Sequence, residues 1–271
     1  MAQGWNHLRA GQFFGRVAGR RTTGGVTLSE VVHPGARVCP RHAHERTYLS
    51  LVLAGSYAEQ IGPQALDHRP MTAHVRPGGV VHRDRVGPRG SRFFIMEMDA
   101  AWLDGVAGSL PALGDPAALG TEPLWVLLRL YRELRRWDHC SGPVAEALAA
   151  ELVGATQSRS GDRHAPPWLG RVTELVRSGF RRTVPLAELA REAGVHPAHA
   201  SRTFRRFVGR SPAEWARELR VRWVCERLGD RERPLSHLAY EAGFADQAHM
   251  TRMFRRYVGE SPGRLRAAMA G

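Results

Sequence analysis

The stretch from Leu186 to Pro212, LAELAREAGVHPAHASRTFRRFVGRSP, returns from Leu235 to Pro262 as LSHLAYEAGFADQAHMTRMFRRYVGESP. Leu186, Leu189, Ala190, Glu192, Ala193 and Gly194 pair without a gap with Leu235, Leu238, Ala239, Glu241, Ala242 and Gly243. One residue later the match resumes. His199, Arg202, Phe204-Arg205-Arg206, Val208-Gly209 and Ser211-Pro212 pair with His249, Arg252, Phe254-Arg255-Arg256, Val258-Gly259 and Ser261-Pro262. A short repeat that occurs only twice is a paired motif, not a solenoid.

Each copy reads as two helices. Leu186, Leu189, Ala190 and Ala193 fall at i, i+3, i+4 and i+7 on one face, and Gly194 follows where a left-handed residue can stop the helix. After a short turn, Ala200, Phe204, Phe207 and Val208 share a second face, while Ser201, Arg202 and Arg205 point away from it. In the second copy Met250, Phe254, Tyr257 and Val258 form the apolar stripe, and Gln247, Thr251, Arg252 and Arg255 lie outside it. Two helices joined by a tight turn containing Gly, the second presenting polar and cationic side chains, make a helix-turn-helix with its recognition helix. A solvated helical hairpin is the plainer reading. It gives no reason for an Arg at the same outward place in both copies, Arg202 and Arg252.

The segment between the copies sets their spacing. Ser211-Pro212-Ala213-Glu214 has the pattern of an N-cap and first turn, with a capping box and a proline where no amide hydrogen is needed. The predicted helix runs from Pro212 to Leu228, with Trp215, Leu219 and Trp223 along one side. It would span roughly 25 Å at about 1.5 Å per residue. One turn of B-DNA is about 34 Å, so two recognition helices on such a rod could enter successive major-groove segments. The two half-sites need not be palindromic, because the outward faces differ.

Residues 168 to 268 resemble the DNA-binding domain of the AraC/XylS family of bacterial transcription regulators. The resemblance is carried by Leu-Ala-Tyr-Glu-Ala-Gly-Phe at 238 to 244, by His249-Met250-Thr251-Arg252-Met253-Phe254-Arg255-Arg256-Tyr257, and by Gly259-Glu260-Ser261-Pro262. It implies base contacts from Ala198, Ser201 and Arg202 in the first unit and from Gln247, Thr251 and Arg252 in the second. Ala198 departs from the pattern, being too short to hydrogen-bond, so the first unit is expected to read less sequence. Arg202 or Arg252 suits guanine O6 and N7, Gln247 suits adenine, and Thr251 suits a thymine methyl. Arg205, Arg206, Arg255 and Arg256 are the expected phosphate partners, with an exposed charge or ion pair the alternative for each. His199 and His249 are expected to pack helices.

Charge and composition fit that reading. The 271 residues carry a net charge of +13, with every basic residue Arg and none Lys. From Trp168 onward 20 Arg face 11 acidic residues, whereas the preceding part has 19 against 15, so the excess lies on the repeated part. That asymmetry favours a nucleic-acid partner, although bulk charge alone would equally suit an anionic membrane. The N-terminus has no apolar core of an export signal, and no run of about 18 apolar residues suggests a membrane span, so a cytoplasmic protein is expected. Cys39, Cys140 and Cys225 are too few and too scattered for a disulfide framework or zinc knuckle.

The first half is organised differently. Between Val26 and Met98, segments such as Tyr48 to Leu53 and Arg92 to Met96 alternate with Gly and Pro turns, which predicts a small β-barrel or sandwich. Two helices are expected after it, Pro123 to Trp137 and Pro143 to Val153, either covering the barrel or forming a dimer interface. A polar stretch from Gly154 to Pro167 has the composition of a linker. The expected domains are 1–155, a linker at 156–167, and 168–271. The fold class is therefore an all-β cupin-like barrel with flanking helices, followed by an all-α domain with two helix-turn-helix units.

His42 and His44 stand two apart on an expected strand and so share a face, and His82 follows a second turn-rich segment from Pro77 to Val81. Gly35, His42, His44 and Gly55 resemble the first cupin motif, and Pro77, Gly79 and His82 the second. The metal-binding glutamate of that family would fall near Tyr48, with Glu45 close in sequence. Three imidazoles can hold a metal, but His42, His44, Tyr48 and His82 are assigned here to a small-molecule pocket, with no metal or cofactor. They also suit plain barrel-mouth surface. The function expected is a sequence-specific transcription regulator controlled by a small-molecule effector. Double-stranded DNA and that effector are its expected partners, with a homodimer and RNA polymerase as further candidates and no membrane. The alternative is a metal-dependent cupin enzyme fused to a DNA-binding module, against which Tyr48 in place of a carboxylate weighs. A non-specific architectural binder would need neither a barrel nor two different recognition helices.

Overall fold

The computed structural model describes residues 6–107, 121–157 and 165–269. The chain divides into two compact units, residues 1–160 and residues 161–267.

The first unit is built on strands β1 (Asn6–Leu8), β2 (Arg16–Thr23), β3 (Val26–His33), β4 (Arg37–Val38), β5 (His42–His44), β6 (Thr47–Ile61), β7 (Gln64–His68), β8 (Ala73–Arg76) and β9 (Arg83–Met98). The main sheet runs β2-β3-β9-β6-β7, with β4 added to β9 and β8 to β6, all antiparallel, while β1 pairs with β5 in parallel. The segments read from sequence lie at its centre. Tyr48 to Leu53 opens β6 and Arg92 to Met96 falls in β9, where Leu51 faces Phe94 and Tyr48 faces Glu97. Every residue of both segments is buried, which explains an unbroken apolar run where a one-sided strand would alternate.

Two glycines let these long strands bend. The β6–β9 register shifts between Val52 and Ala54 and between Gly55 and Tyr57. Such bulges bend and twist a strand pair. Gly55 has φ 85°, and a Cβ there would lie 2.1 Å from the carbonyl oxygen of Gly90. Residues of β3, β5, β6, β8 and β9 consequently line one interior cavity.

Helices α1 (Ala100–Ala107), α2 (Thr121–Arg135) and α3 (Ser141–Gln157) complete the unit. The expected apolar face of α2, Leu124, Leu127, Leu128 and Tyr131, is buried, with Tyr131 ring-packed on Phe94 at 5.7 Å. The helix therefore covers its own sheet. Buried Glu30 of β3 fixes it there, accepting from Tyr131 Oη at 3.1 Å, from Arg135 at 2.9 Å and from Arg92. The α3 helix runs on to Gln157, past the start of the linker expected from Gly154, since no proline interrupts it before Pro166. Residues 158–164 of that expected linker lie outside the described residues.

The second unit is helical: α4 (Trp168–Gly179), α5 (Leu186–Ala193), α6 (Pro197–Val208), α7 (Pro212–Cys225), α8 (Leu235–Glu241), α9 (Gln247–Val258) and α10 (Pro262–Ala268). Leu169, Val172 and Val176 of α4 pack with Leu189, Ala193 and Phe204 into the core of the first helix pair. The capping box at the start of α7 forms as expected, Ser211 accepting from the Glu214 amide while Glu214 accepts from the Ser211 amide. Such a cap contributes about 1 kcal/mol. The far end differs from expectation. The helix stops at Cys225, not Leu228, and the amides of Arg227 and Leu228 turn back three residues to Val224 and Cys225. That tightening into a 3₁₀-type turn precedes Gly229.

The α7 helix is more polar inside than its three aromatic and aliphatic markers suggested. Glu218 is buried and ion-paired to Arg210, and Arg220 donates to the carbonyls of Phe180 and Arg182 at 2.7 and 3.1 Å. Arg220 thereby gives partners to backbone carbonyls at and just past the C-terminal end of α4, where the helix itself offers none. Tyr257 of α9 donates to the carbonyl of Glu214, so α7 is tied to the second helix pair as well.

Candidate functional site

Local chain chemistry aims the two recognition helices, α6 and α9. Each is preceded by a left-handed glycine, Gly194 at φ 67° and Gly243 at φ 81°, which turns the chain sharply. His196 caps α6 by accepting from the Ala198 amide at 3.3 Å, with Pro197 at the first helical position. Asp246 caps α9 by accepting from the His249 amide at 2.6 Å. Ala200, Thr203 and Phe204 are buried on α6, as are Met250, Phe254 and Val258 on α9. The inward pattern anchors each helix, and the remaining face is left to solvent.

On that outer face lie the residues expected to meet DNA. Ala198, Arg202, Gln247 and Arg252 are exposed, and Ser201 and Thr251 are half-buried. Thr251 donates its hydroxyl to the Gln247 carbonyl at 2.8 Å. Arg202, Arg252, Arg255 and Arg256 make no ion pair among the described residues. Arg205 differs, reaching Glu214 at 3.2 Å, and Arg206 lies over the Phe207 ring at 5.6 Å. His249 packs edge-on against Phe244 at 5.4 Å, and exposed His199 lies 6.3 Å from Trp168.

The interior of the first unit brings His42, His44, Tyr48 and His82 together. His42 and His82 exchange both backbone hydrogen bonds, at 2.9 and 2.8 Å, which locks their Cα atoms side by side. One ring nitrogen of each of His42, His44 and His82 lies within 4.8 Å of those of the other two, and all three side chains are buried. The Tyr48 hydroxyl stands 3.5 Å from His82 Nε2. The adjoining cavity measures about 50 Å³, its wall formed in part by Phe13, Phe14, His44, Tyr48 and Asp84. Burial, reinforced by neighbouring His82, pushes the imidazole of His42 down to about 4 and that of His44 down to about 3.

Two groups of interior residues escaped the sequence reading. Asp84 accepts from the Tyr57 hydroxyl at 2.9 Å on Oδ1 and turns Oδ2 toward His42 Nε2 at 3.5 Å and His82 Nε2 at 4.0 Å. Burial raises its carboxyl to about 6. Its position two residues after His82 was the available signal, since period 2 places both on one side of an extended chain. The other group centres on Glu59, which accepts from Arg76 Nε at 2.6 Å, from a second Arg76 nitrogen and from His68 at 3.2 Å. Burial works against the Glu59 charge, but the Arg76 and His68 hydrogen bonds outweigh it and hold the carboxyl well below its ordinary value. The His74 ring lies tilted against that of His68, centroids 4.5 Å apart, and burial lowers its pKa to about 3.

A sequence profile described as a helix-turn-helix domain matches residues 189–268. The HTH-type transcriptional regulator GlxA of Rhizobium meliloti is 29% identical over 187 residues, covering 68% of this chain and 54% of that protein. The chain thus spans about half the length of this curated relative. Among solved structures, the DNA-binding domain of AdpA in complex with a target DNA is 26% identical, covers 37% of this chain and 90% of its own, and superposes with a TM-score of 0.35. Apo ToxT of Vibrio cholerae is 10% identical over 92% of this chain and all of its own, with a TM-score of 0.39. No helix among the described residues is long and apolar enough to cross a membrane. The profile match spans most of the two repeated helix pairs and the capped helix α7 between them, so residues 189–268 form a helix-turn-helix domain.

Proposed function

We propose that this chain regulates transcription by binding two successive half-sites of double-stranded DNA, and that a ligand in the interior of the first unit controls that binding. The observation that carries the reading is the pair of outward faces on α6 and α9, each with an unpaired Arg, Arg202 or Arg252, at the equivalent place. On the second face Gln247, the Thr251 methyl and Arg252 offer an amide, an apolar contact and a fork of donors, a set matched to major-groove edges. On the first, Ala198 and Ser201 offer little reach beyond Arg202, so the second unit carries more of the specificity. Arg255 and Arg256 supply phosphate contacts, with Arg205 and Arg206 on the first unit.

Control by a ligand requires only that the ligand bind two states of the protein with different affinity. His42, His44, Tyr48 and His82 border the interior site. A cavity of about 50 Å³ is small for an organic effector. Sites for drug-sized molecules run to about 300 Å³ or more, so the ligand has few heavy atoms. Selection of the full chain on a random-sequence duplex pool tests the DNA reading. Two unlike half-sites about 10 base pairs apart, one of them degraded by Arg252→Ala, are expected. Enrichment of no sequence would overturn it.

A further inference from the structure

We propose that His196, the N-cap residue of α6, reads a base edge in the first half-site, donating from Nε2 to a major-groove acceptor, guanine above all. Such a contact rests on the DNA-binding reading above, and it gives the first unit a reader where Ala198 has none.

His196 stands three residues before His199, as Asp246 stands three before His249, so the two N-caps hold matched places in the repeat. For capping alone, histidine is the weaker choice. Its Nδ1 accepts from the Ala198 amide at 3.3 Å, where Asp246 accepts from the His249 amide at 2.6 Å, and Ser, Asp and Asn are the residues that cap helices best. What the imidazole adds is a second nitrogen on the far side of the ring.

The cap fixes what that nitrogen carries. An amide N–H only donates, so Nδ1 holds the lone pair and the proton of the neutral ring sits on Nε2. His196 is exposed, and Nε2 has no hydrogen-bond partner among the described residues. The same bond holds the ring against the backbone of Ala198, whose own side chain ends at a methyl group. An imidazole donor therefore stands beside the position from which a longer side chain at 198 would have reached.

No backbone donor competes with it. Pro197 has no amide hydrogen, the Ala198 amide is taken by the ring, and the amides of His199 and Ala200 turn back to the His196 carbonyl at 2.9 and 3.0 Å. The N-terminal residues of a recognition helix are the ones that meet base edges in the major groove. There a lone N–H needs an acceptor. Guanine presents two side by side, N7 and O6, adenine and thymine present one each, and cytosine presents an amino group that can only donate. Asp246, at the matched place in the second unit, offers acceptors alone, so the two caps call for opposite partners.

That opposition supplies the test. Full-length wild type, His196→Ser and His196→Asp each select duplexes from a random pool, and affinities are then measured with guanine or cytosine at each position of the first half-site. Both replacements keep an oxygen to cap α6, circular dichroism in urea checks that the fold is held, and if one variant does not fold the other decides. Wild type should prefer guanine at a position where His196→Ser loses the preference, the guanine-to-cytosine ratio falling by about 5- to 10-fold. His196→Asp should turn that ratio toward cytosine, whose amino group a carboxylate accepts. A general loss from the added charge cancels in the ratio, and a residue that only capped the helix would not reverse it. An unchanged ratio in the folded variants overturns the assignment. So does a loss equal on all sequences with a shallower salt dependence, which would put the imidazole on a phosphate. Two enriched half-sites with either of those results sink the His196 contact alone, whereas a wild type that enriches no sequence sinks the DNA reading and the contact with it.

Discussion

The carbonyl oxygen of Arg181 occupies the space a side chain at Gly243 would need: a Cβ built there lies 1.8 Å from it. At the equivalent turn of the first unit, Gly194 has a similar left-handed backbone but nothing within 4 Å of the same point. Two glycines in matched positions are thus required for different reasons. Gly194→Ala should cost about 1 kcal/mol, the penalty for a left-handed alanine. Gly243→Ala should cost several-fold more, because backbone must move. Urea unfolding of the full chain followed by circular dichroism measures both, and equal losses would show that the loop carrying Arg181 yields freely.

Arg252→Ala removes an unpaired guanidinium from the α9 face. Without that two-pronged hold on a base, affinity should fall by about 1 to 3 kcal/mol on the selected site and discrimination should relax at one position of one half-site. Arg255→Ala should instead weaken all sequences alike and lower the salt slope by about one. Arg205→Ala should do less, since that guanidinium must first leave Glu214. Fluorescence anisotropy across a salt series separates these outcomes. A uniform loss for Arg252→Ala would move that residue to the phosphate group.

The helical half was legible because its signals are local. Gly194, Gly243, the Ser211–Glu214 capping box and the 3.6-residue apolar stripes each act within a few residues. The chemistry of the β unit was legible only where it repeated a local rule, as in His42 and His44 on one strand face. Glu59 meets Arg76 across 17 residues and Tyr57 meets Asp84 across 27. Nothing in the sequence between them announces the pairing. Strand β2, Arg-Val-Ala-Gly-Arg-Arg-Thr-Thr, carries so little apolar character that only its register against β3 makes it a strand. Propensity gave way there to pairing, as it often does in sheets.

Glu59 and Arg76 are both 1% exposed, so each depends on the other for its charge. Glu59→Gln leaves Arg76 as a buried cation without a counter-ion and should destabilise the first unit by about 3 to 5 kcal/mol. The exposed pair Arg171–Glu192, at 3.0 Å, offers the contrast. Glu192→Gln there should leave the melting temperature unchanged, because water screens such pairs. Thermal melts of the two variants beside the wild type make the comparison. A Glu59→Gln melt equal to that of the wild type would mean that Arg76 finds another acceptor.

His74 stays neutral in the folded protein down to about pH 3, because burial disfavours its charged form. In the unfolded chain it protonates near 6.5. Between those values the unfolded state binds the extra proton. The stabilisation is complete above about pH 6.5 and is lost as pH falls toward 3, by roughly 2 kcal/mol at pH 5. His42, lowered to about 4, and His44, lowered to about 3, act with the same sign. Asp84, raised to about 6, acts against them, its contribution being present at low pH and lost as pH rises through 6. Three imidazoles against one carboxyl leave a net destabilisation on acidification. The melting temperature should therefore drop steeply from pH 7 to pH 5, and His74→Phe should flatten that dependence by about one proton. A variant with the wild-type slope would show that His74 is not held neutral, whatever its effect on stability at pH 7.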